Sequence, residues 1–275
     1  MKSVETRDLT GFPLVKGGNS LDTRRVQELL ALAALRGFAN CATSIDGDFG
    51  PATKQAVVQF QTAPGFALLA GVEPRAITLG EVDKATWGAL VAPLKAMLGP
   101  WRARSAIEDT VLSIADGWLG WQPTELGASN LGPVVRLCMT RPGDRGLRPG
   151  PEGSDWPWCA GSATTIVALA AEAHNVEPPV PYSWSCPEML LAAEKRGKLV
   201  RGQDAAGMLR VRAGSIFLVK GLTPWQPPHT GIVARWHADG TFETYEGNAS
   251  KSGSYDGGRF MQYVRARTSC DFIVL

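Results

Sequence analysis

A chain of 275 residues, 44% hydrophobic and 20% charged, has room for two domains, the second with a substantial core. Its formal net charge of +2 carries no long run of Lys or Arg, which excludes the concentrated basic face of a nucleic-acid binder and the polybasic patch of a membrane-surface protein. No stretch approaches the ~18 apolar residues of a membrane span.

The opening MKSVETRDLTGFPLVKGG lacks the apolar centre of a secretory signal, so synthesis in the cytoplasm without a signal peptide is expected. Residues 10–95 read as a first domain of three short helices. Val26, Leu29, Leu30 and Ala33 recur at helical spacing, with Asp22 at the N-cap position and Gly37 as terminator. The segment from Ser44 to Pro51 is rich in turn residues, and its Asp46-Gly47-Asp48 lacks the further acidic ligands of a calcium loop. A second helix starts near Pro51 and buries Ala56, Val57 and Phe60. A third runs from about Asp83 to Leu94 around Trp87, Leu90 and Val91. Residues 96–103, with Gly99 and Pro100, read as a linker.

Residues 104–275 read as a second domain. It opens with a helix at Ile107–Leu119, then a Pro- and Gly-rich stretch from Arg141 to Pro157. Two more helices follow, from Cys159 and from Pro187. After Gly214 come five β-type runs: SIFLV, TGIVARW, TFETYEG, FMQYVRA and DFIVL. Helices first and an antiparallel sheet afterwards define an α+β class.

Five scattered cysteines without a CxxC pair fit neither a disulfide framework nor a structural zinc site. Cys159 stands where a loop enters a helix. The unpaired N–H groups and dipole there favour a thiolate and can stabilise an oxyanion. Cys186 also begins a helix, but Ser185 or Cys186 as cap with Pro187 explains that sequence without chemistry. Of three histidines, His174 ends a helix, where it caps carbonyls, and His237 lies beside a hairpin turn. His229 begins a strand. With Asp239-Gly240 as a two-residue turn, Ala238 lies opposite Thr241, Val233 opposite Glu246 and Gly231 opposite Asn248. Alternation then puts His229, Glu246 and Asn248 on one face, a base with polar orienters.

Two resemblances follow from these residues. RRVQELLALAAL, IDGDFGPATKQAVVQFQ and GEVDKATWGAL resemble the three-helix peptidoglycan-binding domain that accompanies many lytic enzymes; matching positions include Gln27, Asp46, Gly47, Phe49, Gly50, Thr53, Gln61, Gly80, Val82, Thr86 and Trp87. The stretch Ala70 to Thr78 is an insertion relative to the shortest members. WCAGSATTIVALA, RAGSIFLVKG, HTGIVARW and TYEGNAS resemble the CHAP family of cysteine, histidine-dependent amidohydrolases and peptidases, in the papain-like group with the NlpC-type hydrolases. That resemblance implies Cys159 as nucleophile, His229 as general base and acid, Glu246 as the orienter of the imidazole and Asn248 as an auxiliary polar residue. Thr230 stands where the family often has valine. Only Glu152 and Asp155 occupy the region in which calcium-dependent members carry several acidic residues, so the resemblance implies no required metal, and no cofactor is expected.

Together the resemblances imply a monomeric hydrolase of an amide bond in peptidoglycan, either the sugar–L-alanine amide or a stem or cross-link peptide bond. The module order implies a phage endolysin that reaches the wall on release. The alternatives are an interbacterial effector, a non-catalytic wall-binding protein and a papain-like acyltransferase.

Overall fold

Helix α1 (Ser20–Leu35) buries Val26, Leu29 and Leu30, and α2 (Pro51–Gln61) buries Ala56, Val57 and Phe60, as helical periodicity requires. The computed structural model describes residues 4–18, 20–126, 130–140, 157–221, 228–250 and 257–275. Glu152, Asp155 and the Pro- and Gly-rich stretch up to residue 156 fall outside the described residues. The chain divides into two compact units, within Ser3–Ala96 and within Met97–Leu275.

In the first unit, α1 and α2 are followed by the short α3 (Phe66–Ala70), a single 3-10 turn at Pro74–Ala76 and α4 (Lys84–Leu98). Where three helices are expected there is thus a fourth, and the first residues of the expected linker belong to α4. Asp22 does not cap α1 from outside. It lies in the first turn and accepts bonds from the backbone and hydroxyl of Thr10 at 2.7 and 2.5 Å.

Two fully buried glutamines organise this unit, Gln27 gripping the loop that enters α2 and Gln61 the loop that enters α4. The Gln27 amide donates to Asp46 Oδ1, the Asp48 carbonyl and Thr53 Oγ1 at 2.7, 3.0 and 3.0 Å, while its oxygen accepts from the backbone N–H groups of Asp46 and Gly47. The Gln61 amide donates to the Glu81 carbonyl and Thr86 Oγ1 at 2.8 and 3.0 Å, and its oxygen accepts from Gly80. Gly47 and Gly80 share a left-handed backbone, with φ of 81° and 83°. The segments Gly47-Asp48-Phe49-Gly50-Pro51-Ala52-Thr53 and Gly80-Glu81-Val82-Asp83-Lys84-Ala85-Thr86 are therefore two copies of one device. Each ends in a buried threonine under a glutamine, with Phe49 or Val82 buried between. Replacing Gln27 by Leu removes five hydrogen bonds and strands buried partners, so this unit loses ~2–3 kcal/mol, read as a lower thermal midpoint.

In the second unit, α5 (Ile107–Trp121) and α6 (Pro133–Met139) precede α7 (Cys159–His174), α8 (Cys186–Lys195) and the short α9 (Ala205–Met208). Six strands, β1 (Leu199–Arg201), β2 (Ile216–Val219), β3 (Thr230–Trp236), β4 (Thr241–Ala249), β5 (Arg259–Ala266) and β6 (Cys270–Ile273), form an antiparallel sheet ordered β1-β6-β2-β3-β4-β5. This is the expected α+β architecture, with the three-residue β1 as an edge strand beyond the five expected. Phe217, Phe242, Phe272 and Trp236 cluster on one face with Val200, Val219 and Val233. Helix α7 packs on β3 and β4 and against α5.

The hairpin register differs from expectation in two places. Near the turn, Trp236 lies opposite Phe242 and His237 N donates to the Thr241 carbonyl at 2.9 Å, so the loop holds one residue more than a two-residue turn. A bulge between Val233 and Arg235 then shifts the ladder again, and Val233 faces Thr244 rather than Glu246. Each one-residue shift reverses the facing of side chains, and two in succession restore it. His229 and Glu246 therefore keep a common face although the pairs are displaced.

Candidate active site

Cys159 is the first residue of α7, and everything from it to Ala171 on that helix is buried. The helix start is fixed by Trp158, whose indole N–H donates to Glu125 Oε1 at 2.7 Å. It is fixed also by close packing: a Cβ at Gly161 would lie 2.5 Å from the Cys138 carbonyl. On the other side stands His229, immediately before β3. Its carbonyl accepts from Val219 N at 2.9 Å, so β2 holds its backbone. Thr230 Oγ1 donates to the Phe217 carbonyl at 2.6 Å, a bond that valine at this position would forgo.

The imidazole of His229 is fully buried, and its Nε2 lies 2.8 Å from Glu246 Oε2. Glu246, also fully buried, accepts from Arg265 through both oxygens at 2.5 Å each and from Thr244 Oγ1 at 2.7 Å. Every contact of the carboxylate is with a donor. Because Glu246 takes Nε2, exchange of a proton with Cys159 falls to the Nδ1 side of the ring.

The charges follow from these contacts. A hydrogen bond from Cys186 chiefly lowers the pKa of Cys159; burial opposes it, and the hydrogen bond and positive charge of His229 and the Thr230 backbone lower it further. Cys186, without an imidazole of its own, has its pKa raised by its neighbour and by burial, so Cys159 carries the thiolate. Burial works against the His229 imidazolium, but the hydrogen bonds and charges of Cys159 and Glu246 outweigh it and raise its pKa to about 9. Burial also opposes the Glu246 carboxylate, yet His229 and Arg265 bring its pKa down to about 2. The resting pair is thiolate and imidazolium. In contrast, burial raises the pKa of Cys41 and Cys270 to about 11 and pushes that of Cys138 up as well.

This sets a pH dependence. Alkylation of Cys159 by iodoacetamide, followed by peptide mass spectrometry, will already be fast well below the ordinary thiol range and stay level until His229 loses its proton near 9. A rise that tracks an ordinary thiol near 8.5 contradicts the ion pair.

A cleft of about 420 Å³ opens beside the sulfur, lined by Cys159, Cys186, Trp184, Glu188, Pro157 and Pro228. His229 and Glu246 stand behind it, out of solvent. The residues expected at the site are thus partly assembled: Cys159, His229 and Glu246 form one connected group. Asn248 is buried in the next part of β4, but its left-handed φ of 56° and a register shift between Glu246 and Ala249 take it out of regular alternation. Its shared face with Glu246 does not follow from register.

Two further residues join this group: Cys186, whose sequence setting is explained by helix capping alone, and Arg265, which sequence reasoning missed. Cys186 does begin a helix capped by Ser185, whose side chain accepts from Glu188 N, yet its sulfur lies 3.8 Å from that of Cys159. Arg265 on β5 anchors the carboxylate. Of the other histidines, His174 Nε2 lies 2.8 Å from Thr110 Oγ1, tying α7 to α5 rather than capping carbonyls. His237 lies 3.5 Å from Glu243, away from this group. Among the described residues no group of three or more His, Cys, Asp or Glu side chains is arranged to hold a metal ion.

Gly247 sets the distance between β4 and the start of α7. A Cβ there would meet Trp158 Cζ3 and Ser162 Cβ at 2.8 Å each and come closer still to Ser162 Oγ. Gly247→Ala therefore pushes the start of α7 off the strand that carries Glu246. Turnover in the reaction proposed below should fall by ~10²-fold, measured as kcat, while stability falls by only ~1–3 kcal/mol.

Comparison of the chain with protein families, curated proteins and solved structures returns no match. No helix among the described residues is long and apolar enough to cross a membrane.

Proposed function

We propose that the unit within Met97–Leu275 is a cysteine amidohydrolase acting on an amide bond of peptidoglycan, and that the unit within Ser3–Ala96 holds it on the wall. One observation carries the enzymatic part. A thiol at the first turn of a buried helix interacts with an imidazole whose second nitrogen is bound by a buried carboxylate. The resemblance of WCAGSATT, HTGIV and TYEGN to the CHAP family supports hydrolysis, and that of the first unit to peptidoglycan-binding domains supports the substrate.

The Cys159 thiolate attacks the amide carbonyl, and N–H groups of the first turn of α7 stabilise the oxyanion. The His229 imidazolium gives its proton to the departing amine as the C–N bond breaks, leaving a thioester. The neutral ring then takes a proton from water, whose oxygen attacks the thioester carbonyl. The acid leaves, and thiolate and imidazolium are restored. Glu246 stabilises the imidazolium and fixes the ring without touching substrate. The wall-binding unit raises local substrate concentration rather than the chemical rate. The module order fits a phage endolysin.

Purified sacculi incubated with the full chain test this reading. Soluble fragments carrying newly freed amines are the expected product, and their masses identify the bond cut. Intact sacculi after long incubation, with no fragment above a heat-killed control, would refute it.

A further inference from the structure

The thiol left over from the hydrolytic scheme is Cys186. Both it and Cys159 begin helices, both line the same cleft, and their sulfurs lie 3.8 Å apart. The geometry points to a redox-active dithiol: peroxides oxidise Cys159, and Cys186 captures the product as a Cys159–Cys186 disulfide.

The distance allows it. A disulfide needs about 2.05 Å, so each sulfur must move by roughly 0.9 Å, within reach of a modest χ1 rotation and small shifts of the helix starts. The chemistry needs a thiolate beside a thiol, with access for a small oxidant, and the cleft supplies that access although both side chains are nearly covered. The Cys159 thiolate attacks one oxygen of hydrogen peroxide, forming an S–O bond as the O–O bond breaks and hydroxide leaves. The Cys186 thiol gives its proton to that hydroxide. Its sulfur then displaces the second hydroxide from the sulfenic sulfur, and that hydroxide leaves as water on taking a proton from solvent. Overall, two thiols and one peroxide become one disulfide and two waters, the two electrons passing from the sulfurs to the peroxide oxygens. A dithiol reductant returns them by exchange.

The bridge would protect the nucleophile. Without a partner thiol, a sulfenic acid proceeds to sulfinic and sulfonic acids, which common thiols do not reverse. With the partner, oxidation stops at a state that is inactive and recoverable. If the hydrolase reading holds, the wall-cutting activity is then switched by redox conditions. The dithiol chemistry itself is read without any substrate.

The full chain is treated with hydrogen peroxide near stoichiometry, then denatured and mapped by mass spectrometry. The expected result is a loss of about 2 Da and a peptide pair joined through Cys159 and Cys186. Titratable thiols should fall from the five present to about three, and dithiothreitol should restore them. Cys186→Ser, given two or more equivalents of peroxide, should instead gain about 32 Da or more at Cys159, beyond rescue by dithiothreitol. Wild type that follows the serine variant, with oxygen on Cys159 and no joined pair, overturns the proposal. So does a bridge that forms through other cysteines. The wild-type map decides between these outcomes even if the variant misfolds.

Discussion

Cys159→Ala will retain the fold and lose at least about 10⁴-fold in the release of wall fragments. The size follows from what the sulfur does in the proposed reaction, where it supplies the bond-forming electron pair. Cys186 is the nearest nucleophile, but Cys159 and burial raise the pKa of its thiol, and the His229 imidazole takes no part in that shift. Removing the thiolate also removes the partner that raises the pKa of His229. The imidazole should then titrate lower, visible by NMR as a shift of its ring resonances at mildly alkaline pH. Stability should change little, because losing one buried sulfur offsets losing one buried negative charge. Binding of the variant to sacculi should match the parent, separating anchoring from chemistry. Equal fragment release by parent and variant would sink the assignment of the nucleophile.

Much of this site was legible because its signals are local. A cysteine at a helix start, a histidine opening a strand and a glutamate on the returning strand are each fixed by neighbours within a few residues. The facing of His229 and Glu246 depends only on odd or even register, and the two unanticipated one-residue shifts, the longer loop and the bulge near Ala234, cancel. Asn248 was less secure, since a left-handed residue in a bulge obeys no alternation. What sequence could not reveal is long-range. The approach of Cys186 to Cys159 depends on how two helix starts dock. The bond from Arg265 to Glu246 runs diagonally over the β4–β5 ladder, where Arg265 itself pairs with Phe242. The repeated clamp of the first unit is another matter. Gln27 followed by Gly47 and Thr53, and Gln61 followed by Gly80 and Thr86, stand at nearly equal spacing, a signal present in the letters and hidden by the dissimilar residues between.

Glu246→Gln will cost both stability and turnover, although it is the smallest change of shape available. The carboxylate accepts from His229, Thr244 and twice from Arg265, with no donor role at either oxygen. An amide must present its NH₂ to one pair of these donors whichever way it turns, and Arg265, mostly buried, loses its counter-charge. Breaking such a pair should cost about 3 kcal/mol, lowering the melting midpoint of this unit by roughly 6–12 °C at pH 7. The pH dependence gives a second readout. The folded-state pKa of Glu246 lies near 2, below its ordinary value of 4.5, so its contribution is complete above 4.5 and is lost as pH falls through 2. The parent should therefore lose about 3 kcal/mol over that acid range, and the glutamine variant should lack this component of the slope. Catalytically, the imidazolium loses the charge that stabilises it and the ring loses its fixed orientation, so kcat should fall by about 10³–10⁴-fold. A variant that melts lower but keeps its turnover would leave Glu246 as a structural anchor and nothing more. Glu246→Asp, which keeps the charge but retracts it, should recover the acid slope before it recovers the rate, because the slope needs only a carboxylate whereas the rate needs the carboxylate at the ring.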